Sequence, residues 1–341
     1  MSILRFFVIL KTMLILTADA VRLALPMEMA IAAMKEAYAA LSSGQAEVPL
    51  RSRLPIPAHE AVSLFMPVYL QDSSGEALAV KIVSLFPKNP ERGFPMIQSA
   101  VLVLEADTGR PLALLEGGSL TAIRTGAASG AATDLLARPD STIAAIFGAG
   151  VQGRTQLEAI CTVRPIQIAW IYDQNREKAE AFIAEMTGKA EIPADLRVAV
   201  SSHQAVEAAD IICTATTSLS PVFADQDLRP GVHINAVGSY TPEMQEIPAD
   251  TVCRARVVVD SRLACLSEAG DLIQPIREGS IGEDHIRAEL GEIVLGLHQG
   301  RENAAQVTLF KSVGVAVQDA AAARLALQRA ADLHLGQTVP W

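Results

Sequence analysis

The sequence predicts an α/β protein of two domains, one built on a mostly antiparallel sheet and one on strands that alternate with helices. Three observations carry this expectation. Between Ala61 and Glu116 several apolar segments of strand length follow one another with turn residues between them. From Thr142 onward such segments alternate with helical patterns, as in a parallel sheet with helices on its faces. The chain has 341 residues, 50% of them hydrophobic and 19% charged, which is long for one core and comfortable for two.

At the N-terminus, Arg5, the apolar run Phe6–Leu10 and Ala18-Asp-Ala20 imitate a signal peptide. Lys11 interrupts that run, and Met13 offers a second start, so the first dozen residues read as a loosely attached extension. Leu14 to Leu16 reads as a short strand, with Thr17 as the cap of the helix that follows. From Thr17 to Ser43 the apolar residues Val21, Leu25, Met27, Ile31, Met34, Tyr38 and Leu41 recur at helical spacing, and Gly44 ends the pattern. Pro49 to Pro57 reads as irregular. Ala61–Tyr69, Ala77–Leu85, Gln98–Glu105 and Leu112–Glu116 read as strands, the last two joined by the turn Asp107-Thr-Gly109-Arg-Pro111.

Ser119 to Ala137 is helical and rich in small residues, so a neighbouring backbone or a ligand can come close to it. Beyond it come a strand at 142–147, a helix, a strand at 166–172, a helix at 176–187, a strand at 197–201, a helix at 204–209 and a strand at 211–215. Further strands follow at 232–237 and 256–260, and an Ala-rich helix runs from Val313 to Leu335 with Gly336 as its stop.

The turn after the strand at 142–147 is Gly148-Ala-Gly150-Val151-Gln152-Gly153. Gly148 permits the tight turn, Gly150 keeps a Cβ away from a pyrophosphate, and Gly153 lets the next helix lie close on the strand with its N–H groups aimed at the phosphates. Asp173 ends the next apolar run about 20 residues beyond the last glycine, where an acid accepts hydrogen bonds from a ribose 2′-hydroxyl. Strand, glycines, helix and acid together point to a Rossmann dinucleotide site. The charge of Asp173 repels a 2′-phosphate and favours NAD(H); Asn175 and Arg176, just beyond it, keep NADP(H) open as the alternative.

Net charge is −10 with a pI near 5.2, and no cluster of Lys and Arg could neutralise a nucleic-acid backbone, so no nucleic-acid partner is expected. No membrane partner is expected either. Cys161, Cys213, Cys253 and Cys265 form no CxxC pair and the six histidines are dispersed, so neither a disulfide framework nor a metal site is expected. Unpaired thiols suit a reducing compartment, the cytoplasm.

The segments Pro49-Leu-Arg51, Ala79-Val-Lys81, Thr121-Ala-Ile-Arg124-Thr125-Gly-Ala, Gly148-Ala-Gly-Val-Gln-Gly153, Ile234-Asn-Ala-Val237-Gly238, Glu289-Leu-Gly-Glu-Ile293 and Leu309-Phe-Lys-Ser312-Val-Gly314 together resemble the ornithine cyclodeaminase and mu-crystallin family. The resemblance implies a homodimer. Its substrate-binding and dimerisation domain would be residues 1–120 with 313–341, and a Rossmann NAD(P)-binding domain, 121–312, would be inserted between them. It also implies that Arg51 grips the carboxylate of a small imino or amino acid, a task suited to a planar guanidinium. Without the resemblance, Arg51 reads as a surface arginine. Lys81 interrupts an apolar strand and is either an edge-strand gatekeeper or a residue facing a pocket; the resemblance favours the pocket and an anionic substrate. Burial would lower its pKa and let it give a proton to the reacting nitrogen. The resemblance places Arg124 and Thr125 between substrate and cofactor phosphate, and Val237 and Ser312 beside the cofactor. Ser312 reads otherwise as a helix N-cap.

Cyclodeaminases of this family carry an Asp in the loop after the strand equivalent to 234–238. Here that loop reads Ser239-Tyr240-Thr241-Pro242-Glu243. With Tyr240 in place of the acid, and Glu243 as the one nearby carboxylate in that stretch, deamination and cyclisation lose their proton carrier, whereas hydride delivery needs only positioning and one proton. The expectation is therefore an NAD(P)H-dependent reductase of cyclic imino acids. Ornithine cyclodeamination, alanine dehydrogenase chemistry and a non-catalytic ligand-binding role are the alternatives.

Overall fold

The structure is a computed structural model that describes residues 12–341; the signal-peptide-like run lies outside the described residues. The chain forms two compact units, one comprising the residues up to Arg124 with Val315–Trp341, the other Thr125–Gly314. The boundaries fall at 124/125 and 314/315, a few residues from the expected 120/121 and 312/313, and the first of them lies within the helix Gly117–Leu136.

In the first unit, β1 (Thr12–Leu16) enters the helix Ala18–Ala24, whose N-cap is Thr17. The single helix expected over 17–43 is two: Pro26 has no N–H to donate and holds an extended ψ of 140°, so a second helix, Met27–Ser42, starts afresh after it. That helix buries Met27, Ile31, Met34 and Tyr38 on one face, each worth about 1.5–3 kcal/mol of apolar burial. β2 (Ala46–Glu47) and β3 (Ser52–Ile56) follow, so the stretch read as irregular contains a strand, paired with the next one. Then come β4 (Ala61–Asp72), β5 (Gly75–Leu85), β6 (Ile97–Leu104) and β7 (Pro111–Glu116).

The sheet is antiparallel except where β1 runs parallel to β7, and its order is C-terminal strand, β1, β7, β6, β5, β4, β2, with β3 also on β4. The C-terminal strand, Gln337–Pro340, reaches β1 after the helix Ala316–Leu333. His334, with φ 55°, is the left-handed cap of that helix; Gly336, expected as its stop, is left-handed at φ 90° and lies so close to Leu16 and Ile15 that a Cβ would collide with them.

In the second unit the strands are β8 (Ile143–Phe147), β9 (Ile168–Tyr172), β10 (Asp195–Val198), β11 (Ile211–Thr214), β12 (His233–Ala236), β13 (Arg256–Val259), β14 (Ile286–Glu289) and β15 (Thr308–Lys311). All pair in parallel, in the order β10, β9, β8, β11, β12, β15, β13, β14. The inner strands β8, β11, β12 and β15 are short and buried along almost their whole length, as in a parallel sheet covered on both faces, while β10 and β14 at its ends carry exposed residues. Ile146, Ile171 and Ile211 pack with Leu157, Ile160 and Phe182 from the flanking helices. The small residues of Gly117–Leu136 have a physical reason within this unit: a Cβ on Gly126 would sit 2.4 Å from the carbonyl oxygen of Thr155. No helix among the described residues is long and apolar enough to cross a membrane.

Candidate functional site

Each unit holds its own set of candidate side chains. In the first, β5 lies between β4 and β6, so Lys81 is not an edge-strand gatekeeper. It shares the covered face of the sheet with Ala77 and Ala79, and only 2% of it is exposed. Its Nζ lies 2.7 Å from Asp319 Oδ2, on the helix Ala316–Leu333. Asp319 Oδ1 accepts from Arg124 Nε at 3.0 Å, while Arg124 Nη1 donates to Gln318 Oε1 at 2.7 Å and Gln318 Nε2 to the hydroxyl of Tyr38. Arg124 Nη2 takes no partner among the described residues. Arg51 is half-buried just before β3; Ser52 pairs with Phe65 and Met66 with Lys81, so the register brings Arg51 level with Lys81.

The electrostatics follow from this geometry. Burial, the charge of Arg124 and, more weakly, that of Arg51 bring the Lys81 ammonium down to about 7, against the opposing pull of Asp319. One buried carboxylate is thus divided between two buried cations, a balance that favours the arrival of a second anion. The sequence reading missed Asp319 and Gln318. Their signal was present: a polar pair in the otherwise apolar run Val315-Ala-Val-Gln-Asp-Ala-Ala, where a buried acid needs a partner.

In the second unit, Gly148 has φ 98°, and a Cβ there would meet the Ala215 carbonyl at 2.6 Å; a Cβ on Gly153 would lie 2.1 Å from the Gly148 carbonyl oxygen. Around Gly150 nothing lies within 4 Å of where a Cβ would be, which leaves space for a ligand. The helix Val151–Val163 begins there without a side-chain cap, Val151 is 67% exposed at its tip, and Gln152 Oε1 is buried without a partner. An uncapped helix start at a glycine turn fits a pyrophosphate. Asp173 does more than await a ribose: its Oδ2 accepts from Ala149 N and its Oδ1 from Asn175 N, both at 2.9 Å, so it also pins the glycine turn. Asn175 caps the helix Arg176–Met186, and the exposed Arg176 pairs with Glu180. Buried Thr125 presents its carbonyl to Gln156, and Val237 N donates to the Thr214 carbonyl.

Ser312 is not a helix cap; its buried hydroxyl donates to Asp260 Oδ2 at 2.7 Å, which also accepts from the N–H groups of Val313 and Gly314. Glu243, the carboxylate three residues beyond Tyr240, is exposed. Behind the same loop lies a carboxylate that sequence reasoning passed over, the fully buried Glu246.

The parallel order, the glycine turn and its paired acid define a dinucleotide-binding protein of the Rossmann class. The chain belongs to the ornithine cyclodeaminase/mu-crystallin family, whose pattern matches residues 11–333. It is 40% identical to a Delta(1)-pyrroline-2-carboxylate reductase of Bacillus cereus over 96% of this chain and 99% of that protein. The solved structure of Thermococcus litoralis Delta(1)-pyrroline-2-carboxylate reductase, in complex with NADH and L-proline, is 46% identical with a TM-score of 0.91, covering 96% of this chain and 100% of that one. An archaeal alanine dehydrogenase dimer with bound NAD is 30% identical with a TM-score of 0.88, covering 96% and 99%.

Proposed function

We propose that this protein is an NAD(P)H-dependent reductase of cyclic imino acids, converting Δ1-pyrroline-2-carboxylate or Δ1-piperideine-2-carboxylate to L-proline or L-pipecolate. The observation that carries this reading is the buried Lys81–Asp319–Arg124 cluster, which offers a small acid a charged seat with Arg51 beside it. The names of the reductases at 40% and 46% identity support it.

In this reading Arg51, Arg124 and Lys81 bind the substrate carboxylate, and the second unit binds the dinucleotide through Gly148, Gly150, Val151, Gln152, Gly153 and Asp173. Thr125, Asn175, Arg176, Val237 and Ser312 line the rest of the cofactor's path. Bound there, a reduced nicotinamide supplies a hydride to the imine carbon. The imine nitrogen needs one proton. Lys81, with its pKa near neutrality, gives that proton and is reprotonated before the next turnover, so that imine, hydride and proton become the amine. The first unit fixes the carboxylate and thereby the carbon to be reduced. NADH is the expected donor because the charge of Asp173 repels a 2′-phosphate.

The working form is a homodimer in the cytoplasm. On the face of the first sheet opposite Lys81, Pro67, Val80, Leu102, Leu114 and Ile15 form one cross-strand row, every member at least partly exposed. Such a row is suited to a second copy. The four free cysteines suit a reducing compartment.

A panel assay tests the function: oxidation of NADH and NADPH with the two cyclic imines, with pyruvate plus ammonia, and with ornithine. The imines should be turned over fastest. Faster turnover of pyruvate with ammonia would make the enzyme an alanine dehydrogenase, as the similarity to the archaeal enzyme allows. Ammonia and proline formed from ornithine without net cofactor oxidation would make it a cyclodeaminase. Tight cofactor binding with no substrate reduced would make it a ligand-binding protein.

A further inference from the structure

The strands of the second unit place one crevice for a ligand. From β8 the chain crosses to β9 and β10 on one side, while β11 and β12 lie on the other, so the sheet changes direction between β8 and β11. Ligands of open parallel sheets bind outside the carboxyl ends of the strands at such a point. The backbone leaving β11 is Ala215-Thr216, and that leaving β12 is Val237-Gly238-Ser239. Gly148 leans directly on the first of these, since a Cβ there would lie 2.6 Å from the Ala215 carbonyl oxygen and 3.3 Å from the Thr216 methyl group.

A single carboxylate ties these two exits together. Glu246 Oε1 accepts from Thr216 N at 2.6 Å and from its hydroxyl at 2.8 Å. Oε2 accepts from Gly238 N at 2.7 Å, Ser239 N at 3.1 Å and the Thr214 hydroxyl at 3.0 Å. The exits are packed backbone on backbone: a Cβ on Gly238 would lie 2.2 Å from the Thr216 carbonyl oxygen and 2.4 Å from Glu246 Oε1. Glu246 is itself held from behind. Its N–H and that of Ile247 donate to Asp271 Oδ1, and Asp271 Oδ2 binds the buried Lys311 Nζ at 2.9 Å. Both Glu246 oxygens face backbone N–H donors, an arrangement that the carboxylate fits and an amide does not.

All five donors to Glu246 come from Thr214, Thr216, Gly238 and Ser239, at the two strand ends that border the crevice. We propose that Glu246 is a positioning residue for hydride transfer: it fixes the exits of β11 and β12 as the floor under the nicotinamide end of the dinucleotide. The inference rests on the reductase reading. It assigns the adenine end to the Asp173-pinned turn and the nicotinamide end to the Glu246 clamp, two parts with separate hydrogen-bond sets.

Glu246→Gln tests it. In the variant an amide group replaces one acceptor and points at backbone N–H donors, so the floor shifts. NADH affinity, read by nucleotide fluorescence, should fall about tenfold, while ADP-ribose, which lacks the nicotinamide, should bind within about threefold of wild type. The primary isotope effect with 4-deuterated NADH should rise, because hydride transfer becomes slower than the steps around it. Equal losses of NADH and ADP-ribose affinity would mean a general structural role and overturn the proposal, as would a variant with unchanged affinity and isotope effect. Thr214→Val removes one hydroxyl donor, preserves shape and serves if the first variant fails to fold; the same split should appear at about threefold. Failure of the wild type to bind NADH would instead overturn the reductase reading.

Discussion

Lys81 and Asp319, from a central strand and from the last helix of the chain, meet at 2.7 Å with both side chains sealed from solvent. Asp319 raises the proton affinity of Lys81 while burial and the charge of Arg124 lower it. Asp319→Asn therefore drops the lysine below its present value of about 7. If Lys81 gives the proton as proposed, kcat/KM for the imine falls as pH rises through that value, and in the variant the fall should come at lower pH. Breaking a buried pair also leaves charge uncompensated, so denaturant melts should show a loss of about 3–5 kcal/mol. An unmoved pH profile would remove Lys81 from proton transfer.

Lys81→Met keeps the volume and removes the charge. In the unfolded chain a lysine titrates near about 10.4, against about 7 in the fold. Between these values the unfolded chain holds a proton that the folded chain does not, so stability rises with pH across that window, while below it the full cost of burying the charge remains. The methionine variant should lose this rise, visible as a flatter dependence of Tm on pH from about 7 to about 10. Imine reduction should fall by roughly 10²–10⁴-fold, the usual contribution of a positioned proton donor.

Arg51→Ala should raise KM for the imine strongly and leave NADH affinity unchanged, because Arg51 belongs to the first unit and the glycine turn to the second. A loss of one charged hydrogen-bonding partner corresponds to roughly 10–100-fold. Collapse of cofactor binding instead would show that Arg51 does not serve the substrate.

Asp173→Ser removes a charge that repels a 2′-phosphate but also two acceptors that hold Ala149 and Asn175. The ratio of kcat/KM for NADPH to that for NADH should rise, with Tm lower by the equivalent of about 1–3 kcal/mol. A variant with altered selectivity and unaltered Tm would contradict the pinning role.

Leu102→Glu places a charge in the middle of the apolar cross-strand row. Sedimentation should report a dimer for the wild type and a monomer for the variant. A variant that remained dimeric would move the interface elsewhere.

The second unit was largely legible in the sequence, since the glycine turn, Asp173 and the alternation of strands and helices are local patterns. Pro26 breaks the first helical pattern, but the apolar spacing continues across it and masked two helices as one. What stayed hidden depends on pairing between distant segments. The strand Ser52–Ile56 has exposed side chains and shows itself only through its partner β4. Lys81 was visible as an anomaly, but the residue that completes it, Asp319, lies on the far side of the inserted unit in sequence. Glu246 stayed hidden beside Tyr240 because a carboxylate that accepts backbone hydrogen bonds leaves no spacing signature.

The route of the chain sets an order on synthesis. The helix that covers Lys81 and the strand that flanks β1 both come from Val315–Trp341, after the whole second unit. On the ribosome the second unit can complete its parallel sheet while the first still lacks its cover, with an open sheet edge at β1 and a lysine facing water. The buried cluster of Lys81, Arg124 and Asp319 is therefore closed by the last segment to emerge, and a chain truncated before Ala316 would lack the acid that completes it.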